Sequence, residues 1–214
     1  MVIAAYNEDS VIAGVVSGVV AEGWSVVVVD DGSQDDTASA ARFGGAHVLR
    51  HVVNLGQGAA LQTGIDFALA RGAENLVTFD ADGQHRSADI PALVAALVGA
   101  DVALGSRFLG AMAGVEPGRR RLLRLATRVS NRLSGMELTD AHCGLHAFRA
   151  AAAPKLRLTQ ERMAHASEFL RRIELSGLRV TEVPVTVDYT EYSKRKGQSA
   201  FQAIRILFDY FFHR

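Results

Sequence analysis

Asp80 and Asp82 stand two residues apart at the end of a short apolar run, Leu76-Val77-Thr78-Phe79, and are followed by Gly83, Gln84 and His85. Along an extended chain, alternation puts both carboxylates on one side, and strand ends are where open α/β sheets place ligands. Hard divalent cations take oxygen ligands from one or two carboxylates and complete their shell with water and substrate phosphates. A second stretch has the same design. The valine run Val26 to Val29 ends in Asp30-Asp31-Gly32-Ser33. Four acids on one sheet edge repel one another unless they share a cation or accept N–H groups from a ligand. A nucleoside diphosphate with a divalent metal meets both needs, its base facing one acid and its phosphates facing the metal.

The elements that position these acids alternate along the chain. Val2 to Ala5 reads as a strand, followed by an amphipathic helix that ends near Gly23. Ser25 to Val29 is nearly all valine, a β-branched run as in a parallel strand buried on both faces. Gln34-Asp35-Asp36-Thr37 opens another helix with capping chemistry, and Ala46 to Arg50 is a shorter strand. Asn54-Leu55-Gly56-Gln57-Gly58 turns into a helix over residues 59–70, stopped by Gly72. After the aspartate strand come a helix near Ser87 to Val98 and a strand at Asp101 to Ser106. This predicts α/β architecture with a mostly parallel sheet. The lone Gly56-Gln57-Gly58 lacks a third glycine in register and is no dinucleotide fingerprint.

The whole chain has 214 residues, 49% hydrophobic and 21% charged, with a net charge of zero. That composition suits one globular domain and gives no global field for nucleic acid. The single cysteine, Cys143, excludes an intramolecular disulfide and fits a reducing compartment. No run reaches the roughly 18 to 20 apolar residues of a membrane span.

Ala5-Tyr6-Asn7-Glu8, Val29-Asp30-Asp31-Gly32-Ser33-Gln34-Asp35, Asn54-Leu55-Gly56-Gln57-Gly58, Asp80-Ala81-Asp82-Gly83-Gln84-His85 and Gly105-Ser106-Arg107 follow in this order. As a set they resemble the motif series of inverting family 2 glycosyltransferases, and within them the dolichyl- and polyprenyl-phosphate mannose or glucose synthases. The resemblance implies a GT-A glycosyltransferase fold, a Rossmann-like sheet flanked by helices. It also implies a nucleoside-diphosphate sugar donor and Mg2+ or Mn2+. By the same carry-over, Tyr6, Glu8 and Asp31 line the nucleoside pocket, Asp80 lies near the sugar or ribose, and Asp82 and Gln84 hold the metal. Ala5 departs from the family, which often has proline there.

Gly110 to Gly118 reads as a mobile, glycine-rich loop, and Arg119, Arg120, Arg121, Arg124, Arg128 and Arg132 follow without an acid among them. At helical spacing Leu122, Leu125, Ala126, Val129 and Leu133 form one apolar stripe, with Arg120, Arg124 and Arg128 on another face. The patch has no interleaved aromatics, which disfavours nucleic acid. In the family, basic residues of this region grip the acceptor's phosphate, which makes Arg107, Arg120 and Arg124 candidates, although serine is common where Arg124 aligns. Thr139 to Arg149 resembles the family segment under the sugar. His142, Cys143 and His146 lack a fourth ligand for zinc. Asp140 is the carboxylate placed to act as a base: a phosphate acceptor needs none, whereas a sugar hydroxyl does.

Ala164 to Leu175 reads as a helix and Arg179 to Val187 as a strand. The basic run Lys194 to Ser199 resembles a loop that folds over the donor and acceptor phosphates, with Lys194, Lys196 and Ser199 as candidate contacts. From Ile204 to Phe212 the C-terminal helix is apolar on nearly every side, fit to pack on the domain, on lipid or on a membrane partner. The expected organisation is one GT-A domain: residues 2–107 bind the nucleotide sugar, 108–199 the acceptor, and 200–214 form the apolar helix. The expected reaction is metal-dependent inverting transfer of a hexose from a UDP- or GDP-sugar to a polyprenyl phosphate. Its expected place is cytoplasmic, peripheral at the inner face of the cell membrane, beside a membrane surface or a small membrane subunit. The alternatives are a saccharide acceptor, or a nucleotide-sugar-binding module without turnover.

Overall fold

A computed structural model describes residues 1–159 and 164–189. Its strands are β1 (Val2–Ala5), β2 (Val27–Asp30), β3 (His47–Arg50), β4 (Asn75–Thr78), β5 (Val102–Ala113), β6 (His146–Arg149) and β7 (Val180–Asp188). Its α-helices are α1 (Asp9–Ala21), α2 (Thr37–Phe43), α3 (Gln57–Ala70), α4 (Ile90–Ala96), α5 (Pro117–Ser134) and α6 (Ala164–Ser176). The strands form one sheet in the order β3-β2-β1-β4-β6-β5-β7, in which β6 alone runs antiparallel to its neighbours.

Period-two alternation divides the core between the two faces of this sheet. Ile3, Val28, Val77 and Ala147 point to the face covered by α1 and α4, where Ile12, Val16, Ile90 and Leu93 are buried. Val2, Leu76, Val102 and Phe148 point to the other face, against Leu61 and Ile65 of α3 and Phe169, Leu170 and Ile173 of α6. With both faces covered, the central strands tolerate the continuous apolar runs seen in the sequence. The acids that follow β2 and β4 therefore emerge together at one carboxyl edge.

Two expectations change. The Gly110 to Gly118 segment is not a loop throughout, because β5 continues to Ala113 and pairs with β7 through Ala111↔Thr186 and Ala113↔Asp188. A β-bulge between Ser106 and Ala111 permits this, and a Cβ on Gly110 would collide with the backbone of Val185. There the glycine serves close approach, not mobility. Next, β6 was not foreseen as a strand. It lies between β4 and β5, so residues from both expected halves share one sheet.

Candidate active site

A cavity of about 570 Å³ opens at the carboxyl edge and is lined by Tyr6, Glu8, Asp31, Gln57, Asp80, Asp82, Gln84 and His85. Cross-bonds between the β1 and β2 turns build its first wall. Asn7 adopts a left-handed φ of 54°. Its N–H donates to Ser33 Oγ and its Oδ1 accepts from the Gln34 N–H, both at 2.9 Å. The Glu8 N–H donates to Thr37 Oγ1 at 2.8 Å.

The two aspartates after β2 divide their tasks. Asp30 is fully buried, accepts the Ser33 N–H at 2.9 Å and pairs with Arg50 Nε at 3.1 Å. It is not part of the cavity lining, so the expected group of four acids shrinks to Asp31, Asp80 and Asp82, with Glu8 beside them. Asp31 accepts the Leu55 N–H at 2.9 Å and His51 Nδ1 at 2.7 Å on Oδ1, and the Gly56 N–H at 2.7 Å on Oδ2. His51 is itself fixed by Thr63 Oγ1 at 3.0 Å. A carboxylate offers about four acceptor positions. These described donors leave one, on Oδ2.

Asp80 lies over the backbone of Gly144, where a Cβ would collide with its carboxylate. His85 Nε2 reaches Asp80 Oδ2 at 3.1 Å, and the Gln57 amide points at Oδ1 from 3.4 Å. Asp82 Oδ1 accepts the Gln84 N–H at 3.0 Å. Burial, and then the neighbouring Asp80 charge, push the Asp82 carboxyl up to about 6. A cation would relieve that crowding. Carboxylate and amide oxygens suit Mg2+ or Mn2+, so Asp82 and Gln84 fit the expected role, with Asp80 adjacent. Among the described residues no three His, Cys, Asp or Glu side chains form a ready-made metal cage. The remaining ligands would come from diphosphate and water.

The acceptor side is organised around Arg107 and Asp140. Arg107 is buried and donates from Nε to Asp140 Oδ2 at 2.6 Å, from Nη2 to Oδ1 at 3.1 Å and from Nη1 to Tyr189 Oη at 3.1 Å. Burial alone would raise the Asp140 carboxyl, but the charge and hydrogen bonds of Arg107 hold it below its usual value. The loop carrying Asp140 is held from β7, where Glu182 accepts the Thr139 and Asp140 N–H groups. Thus Arg107 and Asp140 are committed to each other.

Arg107 lines the cavity, whereas Asp140, Arg120 and Arg124 lie outside its lining, and Arg124 stacks over the Phe108 ring at 5.4 Å. The α5 residues that line it are Arg119, Leu123 and Ala126. Leu125, placed in the apolar stripe by spacing, is 55% exposed, while Ala126 and Thr127 are buried. The inner face is therefore rotated, and Arg119 is the α5 arginine that lines the cavity, together with Arg107 of β5. The Arg119 guanidinium lies over the Tyr189 ring at 4.9 Å. His142 bonds Ser130 Oγ at 3.0 Å, and burial pushes the Cys143 thiol up to about 12, leaving it unreactive. Lys194, Lys196, Ser199 and the helix expected over 200–214 lie outside the described residues. No helix among the described residues is long and apolar enough to cross a membrane.

A mostly parallel seven-stranded sheet flanked by helices, with carboxylates around a cavity at its carboxyl edge, has the architecture of the GT-A glycosyltransferases. The comparisons agree. Residues 1–157 match the family model Glycosyl transferase family 2, and the chain belongs to that family: it is a glycosyltransferase. It is 33% identical to the polyprenol monophosphomannose synthase of Mycolicibacterium smegmatis, over 84% of this chain and 73% of that one. It is 29% identical to the UDP-N-acetylglucosamine–dolichyl-phosphate N-acetylglucosaminyltransferase of Methanococcus voltae, over 97% of this chain and 92% of the relative. Glucosyl-3-phosphoglycerate synthase of Mycobacterium tuberculosis, solved with Mn2+, UDP-glucose and phosphoglyceric acid, superposes with a TM-score of 0.70 at 20% identity. That match covers 97% of this chain and 77% of that one, and shows the shared fold.

Proposed function

We propose that this glycosyltransferase moves a hexose from a nucleoside-diphosphate sugar to a polyprenyl phosphate, with inversion, at the cytoplasmic face of the membrane. One observation carries the choice of acceptor. Asp140, the carboxylate on the acceptor side, is locked in a two-point pair with Arg107 and held below its usual value. A base so placed serves a sugar hydroxyl poorly. A phosphate is already anionic and needs no base. The names of the relatives point the same way.

In this reading Tyr6, Glu8 and Asp31 receive the nucleoside. The one acceptor position left on Asp31 suits a base with a single ring N–H, as in uracil, better than the paired donors of guanine. Asp82 and Gln84 hold a divalent cation, with Asp80 beside it, and when bound the cation stabilises charge on the leaving diphosphate. Arg119 directs the acceptor phosphate from α5, with Leu123 and Ala126 giving the first isoprenoid carbons an apolar wall. Lys194, Lys196 and Ser199 are proposed to close over both phosphates. The phosphate oxygen attacks the anomeric carbon as the bond to the diphosphate breaks on the opposite side. Sugar phosphate forms, and the nucleoside diphosphate leaves with the bonding pair.

The test is Asp82→Ala. It should abolish Mn2+-dependent transfer, and activity near wild type would remove Asp82 from the metal site.

A further inference from the structure

The turn that carries Asp82 and Gln84 is clasped to the end of β7. His85 forms an antiparallel bridge with Val187, and the Asp188 N–H donates to the Gln84 carbonyl at 2.8 Å. Outside that bridge, Arg86 forks onto Asp188, with Nε to Oδ2 at 2.7 Å and Nη2 to Oδ1 at 2.8 Å. One residue further on, Tyr189 is gripped from the other side. Its N–H donates to the Ala113 carbonyl at 2.9 Å, Arg107 donates to its hydroxyl and Arg119 covers its ring. Residues 188 and 189 thus join the carboxylate turn to the acceptor-side helix.

We infer that Arg86 and Asp188 are positioning residues that hold the Asp82–Gln84 turn in its ligand-binding geometry. The inference rests on the reading of Asp82 and Gln84 as metal ligands. Gln84 is fixed through its own carbonyl by Asp188, and the two-point fork fixes Asp188 in both direction and rotation. Neither Arg86 nor Asp188 is in the cavity lining, so the role inferred for them runs through the turn they hold. Arg86 is largely solvent-exposed, so the pair adds little to global stability, and its loss frees the turn without unfolding the domain. Supporting residues of this kind act on metal affinity through the ligands they orient.

The experiment is calorimetric titration of the full chain with UDP and with GDP, each with and without Mn2+. It compares the wild type with Arg86→Ala, Asp188→Ala, Arg86→Lys and the exchanged pair Arg86→Asp/Asp188→Arg. Both alanine variants should lose about tenfold in Mn2+-dependent affinity. They should keep the metal-free affinity, because Tyr6, Glu8 and Asp31 lie on other turns. Arg86→Lys, which keeps charge but not the fork, should fall between, and the exchanged pair should recover part of the loss. Alanine variants that bind Mn2+ and nucleotide like the wild type would overturn the inference. So would equal losses with and without metal, or an exchanged pair no better than the single variants. A wild type whose nucleotide affinity ignores Mn2+ would overturn the metal reading itself, and the inference with it.

Discussion

Arg107 and Asp140 form a buried two-point ion pair, Nε to Oδ2 at 2.6 Å and Nη2 to Oδ1 at 3.1 Å, between the middle of β5 and the loop before β6. Removing one partner leaves an uncompensated buried charge. Asp140→Ala and Arg107→Ala should each cost about 3 to 5 kcal/mol of stability, read by chemical denaturation. The double variant should be more stable than the sum of the two losses requires. Inactivity of an Asp140 variant alone therefore says nothing about a catalytic base. Additive losses would contradict the pairing.

Gly144 lets the Asp80 carboxylate lie against the backbone. Gly144→Ala puts a methyl where that carboxylate is and displaces it. A misplacement near 1 Å costs about a hundredfold in rate, so kcat/KM for transfer should fall by at least about tenfold. The melting temperature should change little, because Gly144 sits at the cavity wall. Unchanged kinetics would mean that Asp80 has no part in positioning the sugar.

The Asp82 carboxyl, raised to about 6 from 3.8, gives a stability signature in chelator. Between those values the folded protein binds a proton that the unfolded chain does not. Metal-free stability should therefore fall as pH rises through this window. Asp82→Asn removes that dependence. At pH 7.5 in EDTA the variant should be more stable than the wild type, by about 1 to 2 kcal/mol, while being inactive in transfer. A variant less stable than the wild type under those conditions would contradict the raising of the Asp82 carboxyl by burial and the Asp80 charge.

Much of this was legible in the chain itself. The valine run before Asp30 and the apolar run before Asp80 state a buried parallel sheet, and the turns after them state which edge holds the acids. What the sequence left hidden is long-range. The partners of Arg107 lie 33 and 82 residues away, and nothing local announces either of them. β6 has only four residues and reverses the sheet direction, which local pattern does not encode. On α5 both Leu122/Leu125 and Leu123/Ala126 satisfy helical spacing, and only the packing selects the second pair. Gly110 reads as part of a mobile loop because glycine permits mobility and close contact alike. His51 and Glu182, which orient Asp31 and the Asp140 loop, had no motif to mark them.

Transfer of radiolabelled hexose to detergent-dispersed polyprenyl phosphate, with UDP- and GDP-hexoses offered separately and Mn2+ present, tests the central claim most directly. The account predicts label in the organic phase, favouring the UDP-sugar, dependent on metal and lost in Asp82→Ala. Metal-dependent breakdown of the donor with no label in lipid would contradict the polyprenyl-phosphate acceptor.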